Sequence, residues 1–146
     1  ETMQQIRDLV KEDPKAIWLL ADMAYPATNI PAMAGADCLN TTQTYPQKTR
    51  WEMLDPEGEY EDIYNRYCHI RASLGSKTML ELVSTDYVEV TLSPEDLKKL
   101  NIRYIVSTND FDERIAVGTT NIFTDSGIEL QKYYEGAQLS IYRCVY

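Results

Sequence analysis

The chain has 146 residues, enough for one compact domain with its own core and too few for two ordinary ones. An apolar share of 44%, with 25% charged residues and only 6 Gly and 6 Pro, excludes wholesale disorder. Lys and Arg number 14 against 23 Asp and Glu, a formal charge of -9 that is the wrong sign for tracking a phosphate backbone and argues against nucleic acid as a partner.

The apolar positions Met3, Ile6, Leu9 and Val10 share one helical face, and Pro14 closes that first helix. Ala16-Ile17-Trp18-Leu19-Leu20 follows as a short apolar run without alternation, the pattern of a strand buried on both faces. Residues 25–46, broken by Pro26, Pro31 and Gly35, read as irregular backbone with one short helix or strand. A short helix is predicted over 47–54, ending at Asp55-Pro56, and a second over 60–67 with Tyr60, Ile63, Tyr64 and Tyr67 on one face.

Residues 79–83 and 87–92 predict two strands linked by Ser84-Thr85-Asp86, the second half exposed by its alternation. Ser93 as N-cap, Pro94 at the first helical position and buried Leu97 and Leu100 predict a helix over 94–100, followed by a strand over 102–106. Residues 111–127 support no assignment, whereas 129–134 and 138–145 around Glu135-Gly136 read as a β-hairpin. The expectation is an α/β fold: a mixed, mostly buried sheet with helices on both faces and the C-terminal hairpin at one edge.

The candidate chemistry is sparse. Asp22 and Asp110 follow two predicted strands, where ligands of open α/β sheets sit, and would face one cleft if those strands are parallel neighbours; the plainer reading is a turn cap and a solvated loop residue. Tyr60, Tyr64 and Tyr67 with Trp51 form an aromatic cluster, readable as core, as a stacking surface for a sugar ring or as a group resting at a membrane interface. Arg66 would clamp a phosphate or carboxylate, or pair with the acids at 55–62.

Those acids do not make a calcium loop, because Gly58 stands at the fourth position where an EF-hand needs the sixth. No metal and no cofactor are expected. His69 is the lone histidine, and its neighbour Cys68 would point away from it in helix or strand, so no dyad forms. Cys38, Cys68 and Cys144 are too dispersed for a disulfide scaffold and leave the redox compartment open. Asn40-Thr41-Thr42 matches the three-residue glycosylation sequon. G-x-S-x-G, G-x-G-x-x-G and P-loop patterns do not occur, so a hydrolase or nucleotide-using enzyme has little support.

Several segments together carry a family likeness: Gln43-Thr44-Tyr45-Pro46, Trp51 with Leu54-Asp55-Pro56, Tyr64-Asn65-Arg66-Tyr67, the run Leu97 through Val106, and the closing Leu139-Ser140-Ile141-Tyr142-Arg143. From Ala16 onward the chain resembles the extracytoplasmic C-terminal domains of bacterial polytopic membrane proteins of the glycosyltransferase-like, YfhO-like type. The resemblance implies membrane helices preceding Glu1, consistent with the missing initiator Met, so that 1–146 is a single α/β domain excised from a larger protein. It places the domain on the outer face of the cytoplasmic membrane, with its own membrane helices as partners.

It further implies an accessory role in assembling cell-surface polymers, with the catalytic acid elsewhere in the parent protein. On that reading the 40–69 region contacts glycan or lipid-linked sugar through Asn40, Trp51, Asp55, Asn65, Arg66 and Tyr67. Two rival expectations stay open. One is a stand-alone enzyme using Asp22 and Asp110; the other is a structural interaction module that presents an exposed apolar patch.

Overall fold

The computed structural model describes residues 1–21, 29–40, 42–43, 47–66, 68–75, 77–108, 120–122, 129–137 and 139–146. Helix α1 (Thr2–Glu12) turns Ile6 and Leu9 inward and stops before Pro14, as its spacing predicts. Strand β1 (Ile17–Leu20) follows, with Trp18, Leu19 and Leu20 all fully buried. Alternate side chains on a strand point to opposite faces, so burial of all three requires cover on both.

The irregular stretch contains α2 (Asn29–Met33), β2 (Asp37–Cys38) and β3 (Thr42–Gln43). Next come α3 (Lys48–Leu54), α4 (Glu61–Tyr64), β4 (Cys68–Leu74), β5 (Met79–Ser84) and β6 (Tyr87–Leu92). The chain closes with α5 (Pro94–Lys99), β7 (Ile102–Thr108), β8 (Thr120–Ile122), β9 (Glu129–Glu135) and β10 (Leu139–Val145).

The mixed α/β architecture holds, with its strands divided between two mixed sheets. The first has the order β2-β1-β7-β10-β9-β8, in which β1 runs parallel to β2 and β7 while the remaining pairs are antiparallel. The second has the order β3-β4-β6-β5, with β4 parallel to β6. A single parallel bridge, Ala21 to Ala72, links them. The C-terminal hairpin β9–β10 lies on the β7 side of the first sheet, and β8 adds one further strand outside it.

Two cores follow from this layering. Trp18 and Leu20 meet α1 through Ile6 and Leu9 on one face of the first sheet, where Trp18 stacks on Tyr104 with ring centroids 4.5 Å apart. The opposite face, carrying Leu19, Ile105 and Tyr142, packs against Ile70, Val88 and Val90 of the second sheet. The second face of the central sheet is thus covered largely by another sheet, with α5 and α3 closing the core through Leu97, Leu100 and Trp51.

Two further departures have local causes. The predicted 60–67 helix ends at Tyr64, because from Cys68 onward the chain alternates buried and half-buried residues in register with β6. The strand expected over 102–106 runs on to Thr108, and its buried Ser107 donates to the Ala21 carbonyl at 2.6 Å, which ties the ends of β7 and β1 together.

Candidate functional site

A cleft of about 540 Å³ lies along α3, α4 and the turn that joins them. Helix α3 contributes Lys48 and Glu52, which sit one helical turn apart on the same face. Asp55, Pro56, Glu57 and Gly58 supply the turn, and Glu61, Tyr64 and Asn65 the far wall. Gly58 adopts φ +71, a left-handed conformation that a side chain would strain, so glycine is what lets the turn fold back.

Asp55 holds that turn. It is 7% exposed, and its two carboxylate oxygens accept the backbone N–H groups of Glu59 at 3.0 Å and Tyr60 at 2.8 Å. Trp51 and Tyr64 stack nearly parallel, with centroids 4.8 Å apart and planes 5° from coplanar. Both are buried in the core between the sheets, so Tyr64 reaches the cleft as the upper member of a packed pair and Trp51 as its support. Arg50 fixes α3 from behind through an ion pair to Asp37 at 2.6 Å.

The cleft is acidic: Glu52, Asp55, Glu57 and Glu61 face one ammonium, that of Lys48. Burial pushes the Tyr64 phenol above its usual range, and the carboxylates of Asp55, Glu61 and Glu52 push it further the same way. The hydroxyl therefore keeps its proton at neutral pH. Among the described residues no group of three or more His, Cys, Asp or Glu is arranged to hold a metal ion.

The sequence-predicted residues divide. Asp55 and Asn65 line the cleft, and Trp51 lies buried beneath it, which corrects the expectation that Trp51 offers a stacking face of its own. Asn40 is 1% exposed and stands apart: its side-chain amide donates to the Leu20 carbonyl at 2.7 Å and accepts from the Leu20 N–H at 2.9 Å. It extends the β1 ladder one step beyond β2, leaving the sequon asparagine neither a sugar contact nor an accessible acceptor.

Arg66 braces α4 against the β5–β6 turn by donating to the main-chain carbonyls of Asp62 at 2.6 Å and Thr85 at 3.1 Å. It is not among the residues that line the cleft, and these two bonds run to main-chain carbonyls and not to the carboxylates at 55–62. Tyr67, Asp22 and Asp110 lie outside the described residues, although β1 and β7 are the parallel neighbours that the Asp22–Asp110 reading required.

Cys68 faces the core and His69 the opposite side of β4, as strand geometry demands. None of the three buried cysteines forms a disulfide, and burial raises the pKa of each thiol, to about 12 for Cys38 and Cys144. Such thiols are poor nucleophiles at neutral pH. Sequence reading passed over Lys48, Glu52 and Glu61 as site residues. Their signal was the four-residue spacing of Lys48 and Glu52 opposite Glu61 and Asn65 across a Pro-Glu-Gly turn.

A family model described as Domain of unknown function (DUF7654) matches residues 1–146, the whole length of the chain. The chain belongs to that family. No curated protein and no solved structure matches it. Among the described residues of this DUF7654 chain, no helix is long and apolar enough to cross a membrane.

Proposed function

We propose that this domain is a non-catalytic extracytoplasmic accessory module of a membrane-embedded glycosyltransferase-like protein, and that it contacts glycan or lipid-linked sugar through the α3–α4 cleft. The supporting observation is the cleft itself: Glu52, Glu61, Tyr64 and Asn65 line one concavity. Carboxylates and amides are the groups that accept from and donate to vicinal sugar hydroxyls, and the packed Trp51–Tyr64 pair gives them a rigid base.

The sign of the lining narrows the ligand. Phosphate and uronate groups are repelled by four carboxylates, so the sugar hydroxyls, and not the pyrophosphate of a lipid carrier, enter the cleft. The sequence resemblance supports the cellular setting.

The test is calorimetric titration of the domain with neutral cell-wall sugars chosen from a glycan array. Wild-type protein is expected to bind, and the Glu61→Gln, Asn65→Ala double variant to lose affinity by roughly tenfold or more through missing charge-assisted hydrogen bonds. Absence of binding to every sugar, or binding that ignores both substitutions, contradicts the reading.

A further inference from the structure

The second sheet ends in β5, whose outer side meets no other strand among the described residues. β5 pairs with β6 along one side, and no described strand pairs with the other. Five of its six residues are exposed, among them Met79 at 55% and Val83 at 54%. Leu82, on the inward face, is still 39% exposed, so the core between the sheets is incompletely closed at this edge. Natural edge strands are usually blunted by charged residues, above all lysine, by proline, by bulges or by extreme shortness. β5 has no lysine or proline, its single charge is Glu81, and its bulge between Leu82 and Ser84 leaves 79–82 regular and able to pair.

A row of charge crosses this sheet and stops at the edge. Arg71 on β4 stands opposite Glu89 on β6, with nitrogen and oxygen 3.8 Å apart, and Glu89 stands opposite Glu81 on β5. Two carboxylates directly opposed on neighbouring strands repel. Glu81 has no ion-pair partner among the described residues, and the position beside it is the one that an additional strand would fill.

We propose that the β5 edge is a docking site for an extended segment of a partner polypeptide, which adds as a fifth strand and places a lysine or arginine beside Glu81. The main chain of Met79–Leu82 supplies the ladder, and Met79 and Val83 supply apolar contacts on either side of the charge. A second copy of this chain is the poorer occupant. Its charge of -9 opposes self-association, and symmetric pairing of two β5 strands brings two Glu81 carboxylates together. The inference is independent of sugar binding at the α3–α4 cleft.

The experiment titrates the domain with a short synthetic peptide alternating valine and lysine, and with its valine–glutamate counterpart, following affinity by calorimetry and amide exchange by NMR. The lysine peptide is expected to bind and to slow exchange within β5, while Glu81→Lys weakens it roughly threefold to tenfold and reverses the preference toward the glutamate peptide. Asn65→Ala, in the sugar cleft, leaves peptide binding unchanged. Failure of the lysine peptide to bind, indifference to the sign at position 81, or sedimentation showing a dimer joined through β5 overturns the proposal.

Discussion

Asn40 shows how a polar side chain can be consumed by architecture. Its carboxamide presents one acceptor and one donor to Leu20 with the spacing of a backbone pair, so β1 gains a ladder rung where β2 has ended. Asn40→Ala is expected to cost about 2–4 kcal/mol, read from the urea midpoint, because two buried backbone groups lose their partners at once. Retained stability would mean that the neighbouring main chain satisfies Leu20 without the amide. The sequon around Asn40 is legible as three letters, but its burial depends on where β2 stops. Asp55 is the parallel case: its acidic neighbours suggested ligand chemistry, while both of its oxygens are committed to the turn of Glu59 and Tyr60.

At the scale of elements, legibility follows how local the determining interactions are. Helix α5 was readable because Ser93, Pro94 and Leu97 settle its start and its buried face within five positions; the Ser93 hydroxyl accepts from the Asp96 N–H at 3.3 Å. Ser93→Ala is expected to cost about 1 kcal/mol. The loss extends to the contacts by which Thr78 joins the same cap, so thermal melting of Ser93→Ala and Thr78→Val together should fall short of additive. Additive losses would show the two hydroxyls to be independent. β4 was hidden because its inward residues Cys68, Ile70 and Ala72 are mostly small, and its pairing to β6 is parallel and distant in sequence. The cleft was partly visible for the same reason: its acids are local, but the return of α4 against α3 rests on the buried Trp51–Tyr64 stack.

For the whole molecule, the division into two sheets was the feature least accessible from pattern, since Leu19 and Ile105 require apolar cover without specifying whether helix or sheet provides it. The interleaved cores carry a pH consequence. Burial, with the Asp37 carboxylate adding to it at Cys38, holds the Cys38 and Cys144 thiols up to about 12 from an ordinary value of 9.0. Above pH 9.0 the unfolded chain sheds thiol protons that the folded chain retains, so stability falls as pH rises. The slope approaches about 1.4 kcal/mol per pH unit for each thiol until the folded groups titrate. Urea midpoints at neutral pH and at about pH 10.5 check this, and the Cys38→Ala, Cys144→Ala variant should show a shallower decline. An unchanged midpoint in the wild type would place those thiols in contact with water.

The most direct measurement of the recognition role is amide chemical-shift mapping of the domain with a neutral cell-wall sugar. Perturbations are expected to concentrate at Glu52, Gly58, Glu61 and Asn65, with Asn40 and the β5 edge unmoved. Shifts scattered over the surface, or gathered away from α3 and α4, would contradict it.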